Sequence, residues 1–250
     1  MAPLLAATEL TKAFGGLTAV KDLSFTVDPG EVLGVIGPNG AGKTTLFNLI
    51  CGFLFPTAGS IHFCGRAIHG LRPHQIAALG IARTFQLVRP FPHLTLTENV
   101  LVALGHSAYP SLRRSLRRAY NGQAVAAAEV LLDRVGLREH RNSPARVLPL
   151  GMKKRLEIAR ALALEPKLLL LDEPSGGLPH EESRALIALI RDLNAGGITI
   201  LLIEHNMPVV MDVCRRLLVL DHGEQIAEGD PAAVRSDPRV IEAYLGTAPP

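Results

Sequence analysis

The segment EVLGVIGPNGAGKTT at residues 31–45 places a glycine-rich loop between an apolar strand pattern and the start of a helix. Residues 37–44 fit the pattern G-x-x-x-x-G-K-[ST]. The glycines of such a loop let successive backbone N–H groups converge on one anion, and the following helix directs its positive end at the same place. Lys43 is expected to reach the β- and γ-phosphates of a nucleotide, and the Thr44 hydroxyl to bind Mg²⁺. The segment therefore predicts a nucleotide-binding strand, loop and helix.

Two carboxylates follow a second buried-strand pattern. LLLLDE at residues 168–173 is the continuous apolar run of a strand covered on both faces, and it ends in Asp172 and Glu173. The sites of α/β proteins lie at the carboxyl ends of strands, so Asp172 is expected to hold Mg²⁺ and Glu173 to polarise an attacking water. Taken alone, Asp-Glu-Pro is equally ordinary turn chemistry after a core strand. The phosphate loop elsewhere in the chain favours the catalytic interpretation.

The rest of the chain alternates strand and helix signals, which predicts an α/β fold. The first 30 residues have strand and turn patterns, and strand signals return at 168–171, 198–203 and 217–220. Helical patterns dominate between about 87 and 165. We therefore predict one domain, residues 1–250, whose core (1–86 and 166–250) has a mixed or parallel sheet and an antiparallel β part, with an α-helical subdomain inserted at about 87–165. Asp230-Pro231 and Asp237-Pro238 predict two short helices near the end.

The composition favours a globular protein and disfavours several other classes of protein. Apolar residues make up 48% and charged residues 20% of the chain, which is a globular balance, and a net charge of +3 is small for a nucleic-acid-binding protein. The longest apolar runs are far below the roughly 20 residues of a membrane-spanning helix, and the amino terminus lacks a signal-peptide pattern. Cys51, Cys64 and Cys214 have neither disulfide nor zinc spacing, so each is predicted to be a buried thiol in a reducing cytoplasm.

The order of motifs resembles that of the ATP-binding subunits of ABC transporters, from about residue 4 to the end. The resemblance rests on Phe14, the GPNGAGKTT loop, Gln86, and the segments LPLGMKKRLEIARAL, LLLLDEP and SGGLP, followed by His205. It implies the P-loop NTPase fold of the ABC ATPases, hydrolysis of ATP, and ATP and Mg²⁺ as cofactors. It also implies that nucleotide is held by the loop residues Gly37, Pro38, Asn39, Gly40, Ala41, Gly42, Lys43, Thr44 and Thr45.

The resemblance gives roles to three further side chains. Phe14 would stack on adenine, Gln86 would contact Mg²⁺ and the lytic water, and His205 would bond the γ-phosphate and hold the water and Glu173 in line. The implied metal-binding residues are Thr44, Gln86 and Asp172. From the residues alone, Phe14 is equally a plug in the core, Gln86 a buried amide, and His205 a surface or cap residue.

Two motifs depart from the family pattern. In this family, two subunits enclose two ATP molecules, each held by one subunit's phosphate loop and the other's signature sequence, typically L-S-G-G-Q. The matching segment here, residues 148–152, is LPLGM, in which Gly151 still opens a helix toward the partner's γ-phosphate. Pro149 brings neither hydroxyl nor N–H, and Met152 cannot hydrogen-bond as glutamine does. In the second motif, the loop SGGLP at residues 175–179, Pro179 replaces the family's usual Asp or Asn. Because both motifs act on the partner's ATP, we predict an asymmetric heterodimer, with a homodimer left open.

The closing segment GEQIAEGDPAAVRSDPRVIEAYLG, with RTFQ at 83–86 and RLEIARAL at 155–162, resembles the branched-chain (hydrophobic) amino acid uptake subfamily. The resemblance implies a second, different ATPase subunit, two transmembrane permeases and a periplasmic solute-binding protein. It places the chain at the cytoplasmic face of the inner membrane. Similar ATPases serve urea, amides, aromatic acids or lipopolysaccharide export, which stay open. The rival is an ABC ATPase acting on nucleic acid or ribosomes, disfavoured by the single cassette and the lack of a basic stripe.

Two segments are candidates for contacts with the membrane components. LVRPF at residues 87–91 is apolar and basic, and it is expected to receive a cytoplasmic helix of the permease. The pairs Arg113-Arg114 and Arg117-Arg118 either contact anionic headgroups or an acidic permease loop, or form a solvated helix face.

Overall fold

The structure is a computed structural model that describes residues 2–86, 88–105 and 122–245. Its strands are β1 Leu5–Phe14, β2 Leu17–Val27, β3 Val32–Ile36, β4 Ala58–Phe63, β5 Arg66–Ala67, β6 Ile81–Arg83, β7 Leu168–Asp172, β8 Thr199–Ile203, β9 Arg216–Asp221 and β10 Glu224–Gly229. Its helices are α1 Lys43–Ile50, α2 Pro73–Ala78, α3 Leu96–Leu104, α4 Gly122–Arg134, α5 Leu150–Leu162, α6 His180–Ala195, α7 Met207–Val213, α8 Pro231–Arg235 and α9 Pro238–Leu245. None of the helices in the described ranges has the length and hydropathy needed to cross a bilayer.

The central sheet has six strands in the order β10-β9-β3-β8-β7-β6. Neighbouring strands are parallel from β6 to β9, and β10 joins antiparallel to β9. Successive side chains of β7 enter two different cores: Leu168 and Leu170 belong to one, and Leu169 and Leu171 to the other. Because both faces are covered, all four of these leucine positions are apolar.

One core joins the central sheet to a four-stranded antiparallel sheet of order β2-β1-β4-β5. It contains Leu5 and Leu23 of the small sheet, Leu33 of β3 and Phe47 of α1. The helix that follows the phosphate loop therefore shares a buried core with both sheets, which fixes the loop at the carboxyl end of β3.

The other core lies between the central sheet and helices α3 to α7. Helices α3, α4, α5 and α6 each contribute a fully or almost fully buried leucine to it, namely Leu96, Leu132, Leu156 and Leu186. The helices predicted at these places are confirmed, as are the strands predicted at 168–171, 198–203 and 217–220 and the two terminal helices. Our division of the chain into a core and an inserted subdomain stays a prediction.

Some features differ from the sequence-based predictions. We did not predict β4, β5, β6, β10 or α2, each of which has two to six residues. The prediction that all three cysteines are buried is wrong for Cys64, which is exposed at the turn after β4 with φ of 49°. Cys51 and Cys214 are buried, and burial raises the pKa of each thiol to about 12. Leu87 and the arginine pairs at 113–118 lie outside the described residues.

Candidate functional site

The phosphate loop follows β3 and leads directly into α1. Gly37, with φ of 146°, and Gly42, with φ of 101°, adopt conformations that L-residues rarely reach. A Cβ on Gly37 would lie 2.0 Å from the carbonyl oxygen of Leu220, and one on Gly42 would lie 2.3 Å from that of Ala19. The first and last glycines of the motif are therefore required by close backbone approaches as well as by the loop conformation.

Lys43 is buried at the first position of α1. Its Nζ donates to the carbonyl oxygens of Gly37, at 2.7 Å, and Pro38, at 2.8 Å. Burial lowers the pKa of Lys43, while the nearby charges of Glu173 and Asp172 raise it. The ammonium group therefore lies inside the loop, near both carboxylates at the end of β7. Thr44, the next residue of the helix, is exposed.

Asp172 is buried at the end of β7 and is paired with a residue that the sequence analysis did not single out, Arg83. Arg83 Nη2 lies 2.8 Å from Asp172 Oδ2, and Nη1 lies 2.6 Å from Asn48 Oδ1 on α1. The guanidinium also lies 5.4 Å from the ring centroid of Phe47 and 5.2 Å from that of Phe85. Arg83 thus joins β6, β7 and α1. The sequence signal that could have identified Arg83 is a charged residue at the end of the short apolar pattern IAR, residues 81–83.

Glu173 follows Asp172, and two of the predicted residues, Gln86 and His205, lie beside its carboxylate. Gln86 Nε2 donates to Glu173 Oε2 at 2.8 Å, and His205 Nδ1 lies 3.7 Å from Glu173 Oε1. The Glu173 side chain is 22% exposed and that of His205 is 58% exposed. Glutamine, histidine and glutamate therefore form one polar group that is open to solvent, at the edge where β7 and β8 end.

A second buried carboxylate supports the loops around this group. Glu204 is fully buried and accepts hydrogen bonds from Ser175 N at 2.9 Å and Ser175 Oγ at 2.5 Å. It also accepts from the backbone N–H of His205 at 3.2 Å. One side chain thus ties the loop after Glu173 to the loop that carries His205. Sequence reasoning missed this role of Glu204, because a contact between two separate loops has no periodic signal.

Phe14 is 46% exposed at the end of β1, so it is not a plug in the core. Lys12 Nζ lies 5.0 Å from the centroid of its ring, a distance typical of a cation–π contact. The stacking role requires an accessible aromatic ring, and that role stays a prediction.

The two departures from the family pattern begin neighbouring helices. Pro149 is the N-cap of α5 and Pro179 the N-cap of α6, and neither cap makes a side-chain hydrogen bond. A Cβ on Gly151 would lie 2.1 Å from Glu182 Oε2 on α6. Gly151 is therefore buried against a carboxylate at the amino end of α5, and Met152 packs beside the second core.

The carboxyl-terminal helix α9 also reaches the phosphate loop, which the sequence analysis did not predict. The Tyr244 hydroxyl accepts a hydrogen bond from Gly37 N at 2.8 Å. Burial raises the pKa of Tyr244. The closing segment of the chain therefore contacts the first residue of the loop.

Comparisons with known proteins place these features in a family. Residues 20–176 match the family model for ABC transporters, and residues 224–249 match that for branched-chain amino acid ATP-binding cassette transporters. The chain is 45% identical over 253 aligned residues to the high-affinity branched-chain amino acid transport ATP-binding protein LivG of Salmonella typhimurium, covering 98% of this chain and 99% of that one. It is 43% identical to BraF of Pseudomonas aeruginosa, a protein described in the same words, with the same coverage. The ADP conformation of an ATP-binding cassette of an ABC transporter superposes with a TM-score of 0.88 at 33% identity, covering 98% of this chain and 100% of that one.

Proposed function

Because the chain belongs to the ABC transporter family as an ATP-hydrolysing cassette, we propose that it powers the import of branched-chain, hydrophobic amino acids. The observation that carries the choice of solute is the match of residues 224–249 to the branched-chain family model. The full-length similarity to LivG supports the same choice. The proposed site of action is the cytoplasmic face of the inner membrane.

ATP is the proposed nucleotide, held by the loop residues 37–45 with Lys43 among the phosphates. The residues also suit Mg²⁺, since the Thr44 hydroxyl and the Asp172 carboxylate supply the oxygen ligands that this ion prefers. When bound, Mg²⁺ would neutralise negative charge on the phosphates. Gln86 is the third proposed metal contact. Its amide nitrogen donates to Glu173 in the structure, so its carbonyl oxygen is the atom that would face the ion.

Glu173 is the proposed general base. A carboxylate beside the γ-phosphate would accept a proton from the attacking water, and Gln86 and His205 each lie beside one of its two oxygens. His205 would also donate to the γ-phosphate, because its ring lies 3.7 Å from Glu173, which would itself be beside that phosphate. The His205 side chain is 58% exposed and therefore accessible to a ligand. Phe14 would stack on the adenine.

The proposed partners are a second ATP-binding subunit, two permeases and, indirectly, a periplasmic solute-binding protein. We propose that the second ATPase is a different chain with a full signature sequence, because Pro149 and Pro179 weaken only the motifs that act across the dimer. Gly151 would contact the partner's nucleotide. ATP bound by this chain would then be hydrolysed faster than ATP bound by its partner.

Restoring the signature sequence tests this asymmetry. The double change Pro149→Ser and Met152→Gln supplies a hydroxyl at the N-cap of α5 and an amide on its first turn. We expect the ATPase rate of the reconstituted complex to rise by up to about twofold, because the change improves only the site that holds the partner's ATP and the other site is already active. The matched control is Val147→Ser, which adds a hydroxyl at an exposed position before the motif. An unchanged rate in the double variant would refute the asymmetric dimer.

The permease is proposed to bind at Phe91, on the loop after Gln86. The ring is 42% exposed, and Arg160 of α5 lies 5.1 Å from its centroid. Buried Asn99 fixes the segment by accepting from Phe91 N at 2.8 Å and donating to Phe91 O at 3.1 Å. Phe53 and Phe85 form an exposed edge-to-face pair with centroids 6.0 Å apart. Interface anchors are commonly aromatic side chains, and here buried Asn99 holds the backbone that carries the exposed ring of Phe91.

Phe91→Asp should abolish copurification with the permeases while leaving nucleotide binding intact. Loss of a central aromatic anchor costs about 2 kcal/mol or more, which is roughly a 30-fold weaker complex. The measurement is affinity purification of the complex in detergent. Val130→Asp, a similar change at an exposed position on α4, is the control that should copurify normally. Undiminished copurification of Phe91→Asp would exclude this docking surface.

The solute is tested by uptake of labelled leucine in cells whose only copy of the gene is wild type, Lys43→Ala or Lys167→Ala. We expect Lys43→Ala to abolish leucine uptake and leave urea uptake unchanged, and the exposed control Lys167→Ala to retain both. Normal leucine uptake with Lys43→Ala would contradict the proposed solute and direct the search to urea, amides, aromatic acids or lipopolysaccharide export. RNA or DNA in place of permeases on the purified chain would favour the non-transport rival.

A further inference from the structure

Lys154 is a buried lysine outside the phosphate loop, on the second turn of α5. Its ammonium group donates to two backbone carbonyl oxygens, those of Glu173 at 2.9 Å and Gly176 at 2.7 Å. Burial lowers the pKa of Lys154, while the charges of Glu204 and Glu173 raise it. A buried lysine is costly unless it is paired and hydrogen-bonded, and here its partners belong to the loop that carries the proposed base.

The backbone of Glu173 adopts a conformation that needs such support. Its φ is 47°, in the left-handed region that is unfavourable for a residue with a Cβ. Its N–H donates to Ile203 O at 3.0 Å, and its carbonyl oxygen accepts from Gly176 N at 3.2 Å as well as from Lys154 Nζ. Residues in strained conformations persist only where surrounding contacts hold them. Lys154 supplies one of those contacts from a different element.

The direction of the Glu173 side chain follows from this backbone conformation. In this conformation the carboxylate lies 2.8 Å from Gln86 Nε2 and 3.7 Å from His205 Nδ1. If the peptide after Glu173 rotates toward an ordinary conformation, the carboxylate moves with it. A displacement of about 1 Å in a reacting group is enough to lower a rate by about 100-fold.

We propose that Lys154 is a positioning residue for Glu173, which it holds in the geometry for hydrolysis by binding the carbonyl oxygens of Glu173 and Gly176. The proposal rests on the proposed role of Glu173 as the base. Lys154 also links Glu173 to α5, the helix that begins beside Gly151.

The test compares Lys154→Met and Lys154→Arg in the reconstituted transporter. Methionine keeps the apolar stem and removes the donors, whereas arginine keeps donors for both carbonyl oxygens. We expect Lys154→Met to lower kcat for ATP about 10- to 100-fold and leave KM and the affinity for a fluorescent ATP analogue nearly unchanged. Lys154→Arg should recover most of the rate. Rates are normalised to the fraction of protein that binds nucleotide, so that unfolded protein does not count.

Two further variants separate positioning from a general structural role. Lys167→Met removes an exposed lysine just before β7 and should keep the wild-type kcat. In a Glu173→Gln background, Lys154→Met should lower the residual rate by less than about twofold, because the group through which it acts is already absent. A wild-type kcat for Lys154→Met, or an additive loss in the double variant, would overturn the proposal and leave the role of Glu173 standing. A wild-type rate for Glu173→Gln alone would overturn both.

Discussion

Replacing Glu173 with Gln is expected to lower the ATP turnover rate of the complex by about 100- to 10,000-fold, the range that general bases contribute. The amide has the shape of the carboxylate and still offers an oxygen to Gln86, but it accepts no proton from water. The loop residues and Lys43 are unaltered, so nucleotide binding and the closed dimer should persist. Turnover is measured in the reconstituted transporter, and dimer formation with ATP by size-exclusion chromatography.

Glu224→Gln is the matched control for this change. Glu224 is an exposed carboxylate paired with Lys21 on the surface, and its neutralisation should leave turnover unchanged. If Glu173→Gln turned over ATP within about tenfold of wild type, the base would lie elsewhere. The closed dimer without turnover would in contrast show that Glu173 acts on the chemical step and not on assembly.

The second large effect is expected for Arg83→Met, on stability. Arg83 and Asp172 have side chains that are only 6% and 5% exposed, and the change leaves the carboxylate buried without its cation. Breaking a buried pair in this way typically costs about 3–5 kcal/mol in the free energy of unfolding. Arg83 also bonds Asn48, so α1 loses a tie to the central sheet. Urea denaturation of the purified chain, in the absence of nucleotide, measures the loss.

The pair Arg239 and Asp237 provides the comparison. Arg239 is 68% exposed beside Asp237, and Arg239→Met should leave the free energy of unfolding almost unchanged, because exposed pairs contribute little. Adding Asp172→Asn to Arg83→Met should recover part of the lost stability, since the buried charge is then removed. A loss for Arg83→Met no larger than for Arg239→Met would show that the buried pair contributes nothing to folding.

The sequence predicted the parts of the site that lie within one segment. The phosphate loop, Asp172 and Glu173 each follow a short apolar strand, and both local spacing and periodicity mark them. Their mutual distances depend on the order of the strands, which the pattern of apolar residues does not specify. The missed strand β4 begins with Ala-Gly-Ser, which resembles a turn, and β5 and β6 have only 2 and 3 residues, too few for a clear period.

What the sequence alone determined is the α/β class, the nucleotide loop and the resemblance to the ABC transporter family. The tertiary structure alone decided which side chains support the carboxylates: Arg83 for Asp172, Lys154 for the backbone of Glu173, and Glu204 for the two loops beside it. Arg83 and Lys154 are far from their partners along the chain, as Glu204 is from Ser175. Arg83 and Glu204 end apolar strand patterns, whereas Lys154 is one of several charged residues in its helix. A buried charge is stable only with a partner, and chain folding, not local pattern, brings that partner into contact.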